Sequence, residues 1–467
     1  MKIRYFSHAS LQITTAEGVR LLSDPWLYDP IYGDMMWQFP KNVVSLDEFC
    51  DQDILYISHT HPDHFCERTL SHFKRDIPIL IREYGGNIRM KRHLLDLGFT
   101  RVLEMAHRET LTPLGDIQVT MLHDDGAGID STLIVSDSQR TVFNQNDCFL
   151  AINDLKWIGQ HFQIDFAALF FMGVGPFPGS FEMTREQKQL EVQKRRDACF
   201  ARALETAKLV RAPRVLPYSS DMTWLRRQDL SSLNGALPLE FSKFVAMSCS
   251  PLDVYLISPG ESYGFTESPS EYKKYFRTRD EMEGAIQELR LLPENVKLMK
   301  DLEEWENSFE FDGEKFERFM NAYGRYSLDE KLFSGTYARI DIGLRVSGLP
   351  GTAESDRITH NFLIHFSSTE RTIKISALEI GQLPTLHMRL TIPGSLLGMA
   401  LSGACLFEDL VNCRYSIWRP GEFNHSEDLF WRFLSGFTDY LENIGEQPRM
   451  KERGALMLPR SISAQGV

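Results

Sequence analysis

A run of six residues constrains this chain more than any other feature of its sequence. It reads His-Thr-His-Pro-Asp-His and places four metal-binding side chains, those of His59, His61, Asp63 and His64, directly after the apolar segment 54–58. A continuous apolar segment of this length is typical of a strand buried on both faces. Functional residues of α/β proteins gather at the carboxyl ends of such strands. The sequence therefore predicts a metal site at the end of a buried strand.

The spacing within this run predicts two metal ions. His59 and His61 are two residues apart, so in an extended loop their side chains point to the same side and can bind one ion. Pro62 turns the chain, and Asp63 and His64 then face a second ion. Isolated histidines usually pack in a core or face solvent, but that interpretation does not explain four donors in six residues.

Short strands and helices alternate around the run, which predicts a layered α/β unit. A Gly/Pro-rich stretch at 173–179 is either a plain loop between strand and helix or a loop that faces substrate. The predicted strands are 4–14, 19–22, 54–58, 79–81, 117–122, 131–135, 141–144, 166–172 and 214–216, and the predicted helices are 67–73, 87–97 and 184–210.

The pattern divides the chain into four parts. We expect a catalytic domain over 1–260, a helical connector rich in charged residues over 261–332, and a strand-rich C-terminal α+β domain over 333–448. Residues 449–467 are expected to form a flexible tail.

Composition excludes several classes of protein. Hydrophobic residues make up 43% and charged residues 25% of the chain, which is typical of a globular protein with a core. The net charge of −13 argues against binding to nucleic acid or to an anionic membrane. Seven cysteines form no Cys-x-x-Cys pair, and the chain has neither an apolar leader segment nor an apolar run long enough to span a bilayer. We expect a cytoplasmic protein with reduced thiols.

The His-x-His-x-Asp-His pattern is the signature of the metallo-β-lactamase superfamily, and the chain resembles its members at further positions. The resemblance implies an α/β fold, the metallo-β-lactamase αββα sandwich, here with a C-terminal α+β domain. It also implies that Asp24 orients the metal-binding loop and that Asp147 bridges two ions. His123 is placed where the third histidine belongs, although Asp124 or Asp125 could serve instead.

Three further positions stay open. Hydrolases of the superfamily have a last metal-binding histidine near the position of Pro217, and here the sequence offers none; Asp221 is either its substitute or a plain loop residue. His8 matches a histidine of one subgroup and is either a buried hydrogen-bonding residue or a substrate contact. Cys66 is read as a small buried hydrophobic side chain rather than a ligand.

The segments SHAS, SDPWL, ILYISHTHPDH, DSTLIV, NQND and LPYSSD resemble the CMP-N-acetylneuraminate hydroxylase branch more than the hydrolases. The similarity runs from about residue 3 to residue 436. Those hydroxylases also lack the last histidine, and they carry a Rieske iron–sulfur domain. This sequence contains no Cys-x-His pair, so we expect no Rieske cluster within it.

The resemblance extends to metallo-β-lactamase-fold diiron oxygenases of natural-product biosynthesis. It implies a non-haem diiron monooxygenase with O₂ as co-substrate. It would hydroxylate a small molecule, such as a nucleotide- or coenzyme A-linked intermediate of secondary metabolism. Electrons would come from a separate ferredoxin and reductase. Asp63 and Asp147 would also be the catalytic residues. The expected ligands of the two iron ions are His59, His61, Asp63, His64, His123 and Asp147, with Asp221 as a candidate for the last position.

Two other interpretations are compatible with the sequence. Imidazoles and carboxylates without a thiolate suit zinc as well as iron, so a dinuclear zinc hydrolase of the lactonase or thioesterase kind is the alternative. A degenerate fold that only binds a ligand is the third, but the complete run and Asp147 argue against it. The sequence leaves the substrate and the oligomeric state open, a homodimer included.

Overall fold

The computed structural model describes most of the 467-residue chain. Among the described residues, no helix combines the length and apolar character needed to cross a membrane. The described residues are 1–31, 36–83, 89–124, 129–173, 177–227, 230, 237–265, 278–326, 339–348, 357–367, 369–370, 372–380, 386–405, 407, 410, 416–418, 437, 440–441 and 444–445.

A seven-stranded sheet forms the first layer. Its strands are β1 (Lys2–Ser7), β2 (Ser10–Thr14), β3 (Arg20–Ser23), β5 (Ile54–Tyr56), β6 (Ile79–Arg82), β7 (Val102–Met105) and β16 (Ser262–Gly264). They lie in the order β16-β1-β2-β3-β5-β6-β7. Strands β3, β5, β6 and β7 run parallel. The apolar segment before the histidine run is thus a central, fully buried strand, as predicted.

A second seven-stranded sheet has the order β15-β13-β12-β11-β10-β9-β8. Its strands are β8 (Thr110–Leu114), β9 (Ile117–His123), β10 (Ser131–Ser136), β11 (Thr141–Asn144), β12 (Phe166–Phe170), β13 (Arg214–Tyr218) and β15 (Asp253–Val254). Strands β11, β12 and β13 are parallel neighbours, so their carboxyl ends lie at one edge. A small separate sheet pairs β4 (Trp37–Gln38) with β14 (Met222–Thr223).

The two large sheets pack face to face, and helices cover their outer faces. One apolar cluster contains side chains from both sheets, among them Tyr5 and Leu11 from the first and Met121 and Leu133 from the second. Two further clusters join helices α1–α3 to the first sheet and α4–α6 to the second. These helices are α1 (Leu46–Cys50), α2 (Glu67–Leu70), α3 (Arg89–Asp96), α4 (Ile152–His161), α5 (Arg185–Leu209) and α6 (Pro238–Met247). This arrangement is an αββα sandwich, and the predicted fold class is confirmed.

A five-stranded sheet forms the C-terminal α+β unit. Its strands are β17 (Arg339–Ser347), β18 (Ile358–Ser367), β19 (Thr372–Leu378), β20 (Met388–Pro393) and β21 (Ser416–Trp418). Further helices among the described residues are α7 (Arg279–Leu291), α8 (Pro293–Asn307), α9 (Gly313–Tyr326) and α10 (Gly394–Ser402). The strand order is β19-β18-β17-β20-β21. Helices α9 and α10 bury Phe316, Met320 and Leu397 in the core of this unit.

Two elements pack with a different part of the chain from the one to which the predicted domain limits assign them. Strand β16 pairs with β1, so the sandwich includes residues beyond 260. Helix α9 falls within the predicted connector, 261–332, but packs in the core of the C-terminal unit. The three predicted boundaries stay a prediction, and the tail over 449–467 lies outside the described residues.

Candidate metal centre

Side chains from both sheets meet at one edge of the sandwich. The histidine run follows β5 in the first sheet, whereas Asp147 follows β11 in the second. His64 Nε2 lies 3.5 Å from Asp147 Oδ2, which joins the two layers. The turn between β1 and β2 brings His8 Nε2 to 3.1 Å from Asp63 Oδ2. The run and Asp147 are therefore together in space, as the sequence predicts.

His59 and His61 form the first part of the site. His59 Nε2 and His61 Nδ1 lie only 2.7 Å apart. Burial lowers the pKa of His59 well below its ordinary value, and the neighbouring imidazoles of His64 and His61 lower it further. A neutral imidazole has one nitrogen with a free lone pair, which is the form that binds metal. The two converging nitrogens are thus suited to bind one cation.

Asp24 and Ser58 fix the orientation of His64. The backbone N–H and the hydroxyl of Ser58 donate to the Asp24 carboxylate, at 2.7 and 2.9 Å. His64 Nδ1 lies 3.0 Å from Asp24 Oδ2 and donates its proton there. This hydrogen bond keeps a proton on Nδ1, so Nε2 is the nitrogen that a metal ion would bind, as in the carboxylate–histidine–metal arrangement. The orienting role that the resemblance implies for Asp24 agrees with this geometry.

Asp63 and Asp147 supply negative charge around His64. Asp63 Oδ2 lies 3.7 Å from His64 Nε2, and Asp147 Oδ1 accepts a hydrogen bond of 2.6 Å from the Ser219 hydroxyl. Burial alone would raise the pKa of Asp63, but the imidazoles of His64 and His8 outweigh it and hold that pKa well below its usual value. The pKa of Asp147 is also lowered, because His64 outweighs its burial. Both side chains are thus carboxylates.

The residues present fit bound cations. His59, His64 and Asp147 each place one donor atom within 4.8 Å of the other two, and so do His8, Asp63 and His64. Burial opposes a charge on His64, yet the surrounding carboxylates raise its pKa well above the ordinary value, and the same negative charge would stabilise a metal ion that displaces the proton on Nε2. His64 Nε2 is also buried without a hydrogen bond. Buried polar atoms are normally paired, so this vacant donor atom among carboxylates is suited to a metal ion.

The backbone around the site is unusual. Four residues that are not glycine adopt positive φ there: His8 at 49°, Asp24 at 43°, Asn146 at 52° and Ser219 at 64°. Such conformations cost about 1–3 kcal/mol each and persist where surrounding contacts enforce them. Their grouping indicates that the fold stores strain to direct side chains into this site.

His61 is in neither candidate group and joins the site through its contact with His59. Two further predicted ligands lie elsewhere among the described residues. His123 Nε2 donates to the carbonyl of Met105 at 2.9 Å, and His123 belongs to neither candidate group. The Tyr5 hydroxyl donates to the Asp221 carboxylate, and Asp221 is likewise in neither group. Asp124 is also absent from both groups, and Asp125 lies outside the described residues. The assignment of these positions as ligands stays a prediction, without support from the geometry.

Asp130 is the site carboxylate that sequence reasoning missed. Its Oδ1 is buried without a hydrogen bond and lies 3.5 Å from His59 Nδ1. The pKa of Asp130 is raised to about 6, because burial and the Asp147 carboxylate together outweigh the lowering effect of His61. The residue opens the segment DSTLIV at the start of β10, so its position before a buried strand was a usable signal. The spacing of the histidine run gives no indication that Asp130 lies beside His59.

Comparison with known proteins agrees with the fold and the run. Residues 2–149 match the family model described as a beta-lactamase superfamily domain. A protein of Mycolicibacterium smegmatis named as a Rieske 2Fe-2S iron–sulfur protein is 33% identical over 206 residues, which are 42% of this chain and 39% of that protein. The cytidine monophosphate-N-acetylneuraminic acid hydroxylase of Danio rerio is 35% identical over 91 residues, 18% of this chain and 14% of that enzyme.

The chain thus spans less than half the length of the curated relatives it matches. Among solved structures, an isothiocyanate hydrolase from Delia radicum gut bacteria covers 56% of this chain and 99% of its own, with a TM-score of 0.42 and 15% identity.

Proposed function

We propose that this chain is a non-haem diiron monooxygenase that hydroxylates a small molecule. The observation that supports this choice is the sequence similarity to proteins named as hydroxylases, in a chain whose β13–β14 segment offers no imidazole. In that segment the Ser219 hydroxyl donates to Asp147, and Asp221 accepts from Tyr5. The residues that would occupy the place of the hydrolase histidine are therefore committed to other contacts.

The protein's own residues would hold two iron ions in distinct surroundings. His59 and His61 would bind the first, with Asp130 beside them. Asp63 and His64 would bind the second. Asp147 would be shared, because its carboxylate groups with His59 of the first pair and with His64 of the second. Two iron ions would supply the reduction of O₂ and the oxidising power for hydroxylation.

The rest of the site would orient ligands and exclude water. Asp24 holds the proton of His64 at Nδ1, so the other nitrogen stays available to metal. His59 and His64 are fully buried, which limits access of solvent to the donor atoms. We further propose a cytoplasmic enzyme of natural-product biosynthesis that acts on a nucleotide- or coenzyme A-linked substrate. A separate ferredoxin and reductase would deliver its electrons.

Labelled oxygen tests this function. Protein purified without oxygen should contain two irons per chain. With CMP-N-acetylneuraminate and acyl-coenzyme A thioesters as probes, and with added ferredoxin, reductase and ¹⁸O₂, the new hydroxyl should carry the label. An Asp147→Ala variant should hydroxylate at least 100-fold more slowly, because the two iron ions would lose their shared carboxylate ligand. Two zincs, with full-rate anaerobic hydrolysis of a lactone or thioester and solvent oxygen in the product, would establish the hydrolase instead.

A further inference from the structure

We propose that His8 binds the second metal ion together with Asp63 and His64, and that it supplies the imidazole missing after β13. The inference rests on the proposed function only in requiring two bound ions, and it holds for iron or zinc. The proposal makes His8 a metal ligand. His8 belongs to a turn about 50 residues before the histidine run.

The distances are those of a shared ion-binding group. His8 Nε2 lies 3.1 Å from Asp63 Oδ2, and that oxygen lies 3.7 Å from His64 Nε2. All three residues place a donor atom within 4.8 Å of one another, and all three are buried. The imidazole rings of His8 and His64 meet edge to face with centroids 5.5 Å apart. One cation between them would touch two imidazoles and one carboxylate.

The His8 turn also lies directly against the segment that lacks the histidine. The backbone N–H of Ser219 donates to the His8 carbonyl at 3.0 Å, while the Ser219 hydroxyl donates to Asp147. The Tyr5 hydroxyl lies 3.1 Å from the same His8 carbonyl and donates to Asp221. The segment after β13 therefore fixes the His8 turn in place and does not itself present an imidazole.

The backbone and a neighbouring ring direct His8 inward. Its φ of 49° lies in the left-handed region, within the tight turn bounded by the Ser7–Ser10 pair. The rings of His8 and Trp26 meet edge to face, with their centroids 5.3 Å apart. A histidine that only donated a proton to Asp63 could be replaced by glutamine at little cost, whereas a ligand could not. This difference makes the two roles separable.

Cobalt titration of the full chain tests the proposal. Wild-type protein, stripped of metal, should bind two Co²⁺ ions. His8→Gln keeps an amide donor for Asp63 but removes the imidazole, so the second ion should bind at least 100-fold more weakly and the visible absorption of its cobalt should be lost. His365→Gln is the matched control, because His365 forms an equivalent pair with Asp341 at 2.6 Å in the C-terminal unit. This control should bind both ions as wild type does.

Binding of both ions by His8→Gln within threefold of wild type would overturn the proposal and leave His8 as a hydrogen-bond donor. If the variant does not fold, anomalous density in wild-type crystals grown with Co²⁺ decides the matter. A cobalt about 2.0–2.2 Å from His8 Nε2 supports ligation, and one beyond bonding distance excludes it. Both measurements are independent of oxygen chemistry, so failure of the hydroxylase proposal would leave this result standing.

Discussion

His123 and Asp130 lie near each other on paired strands, but their side chains have different partners. His123 is the last residue of β9 and pairs with Ser131 on the neighbouring strand. Asp130 is the residue directly before Ser131 in the chain. Its imidazole donates to Met105, and burial lowers the pKa of His123 to about 4. Asp130 instead places a buried oxygen without a hydrogen bond beside His59. The geometry therefore favours the carboxylate over the imidazole as the group that would act on a bound metal ion.

Paired substitutions separate these two residues. Asp130→Asn removes one negative charge beside the imidazoles with almost no change in shape, and we expect metal affinity to fall about 10–100-fold. His123→Gln retains a donor for the Met105 carbonyl and should bind both ions within threefold of wild type. Competition with a chromophoric chelator measures both affinities. Loss of an ion from His123→Gln but not from Asp130→Asn would instead identify His123 as the ligand.

At the scale of helices and strands, local patterns predicted some elements and missed others for physical reasons. The long helix was predictable because α5 has a capping box, in which the side chain and backbone of Thr184 both bond with Gln187. Helix α4 was missed because its first turn has no side-chain cap and because Gly159 disfavours a helix. Strand β16 could not be predicted, since it forms only by pairing with β1 more than 250 residues earlier.

Gly159 explains how α4 is stabilised despite its weak sequence pattern. A Cβ added at Gly159 would lie 2.2 Å from the Leu209 carbonyl oxygen at the end of α5, so glycine allows the close approach of the two helices. Gly159→Ala should lower the free energy of unfolding by about 1–3 kcal/mol through overpacking. In α7, Gly284 has no atom within 4 Å of an added Cβ, and Gly284→Ala should stabilise by about 0.5–1 kcal/mol. Urea titrations followed by circular dichroism compare the two, and equal midpoints would contradict this packing account.

Across the whole molecule, the histidine run was predictable because its four donors lie within one segment. Other parts of the site come from distant segments: His8 from the first hairpin, Asp130 from just before β10, and Ser219 from just after β13. No local spacing brings these residues together, because only the pairing of strands and the packing of two sheets do so. The link between the sandwich and the C-terminal unit was unpredictable for the same reason.

That link is the segment that follows β12. Strand β12 lies between β11 and β13 and runs parallel to both, so its carboxyl end lies at the edge of the sheet that carries the candidate site. Phe181 belongs to the core of the C-terminal unit and pairs with Ile417 of β21. The neighbouring backbone is fixed by two hydrogen bonds of 2.8 Å with Ile417, and Glu182 forms an ion pair of 2.7 Å with Arg389. The C-terminal unit therefore fixes a segment that begins next to the metal centre.

Truncation of Phe181 tests whether this anchoring is local. Phe181→Ala should destabilise the C-terminal unit by about 3–5 kcal/mol, as expected for a buried phenylalanine, and should increase hydrogen exchange selectively at 177–183. Metal content should stay at two ions, because Phe181 is in neither metal group. Phe362→Ala removes an equally buried ring from the same core without touching the segment, so it should lower stability with little selective change at 177–183. Equal exchange at 177–183 in both variants would mean that the whole C-terminal core, and not Phe181, holds the segment in place.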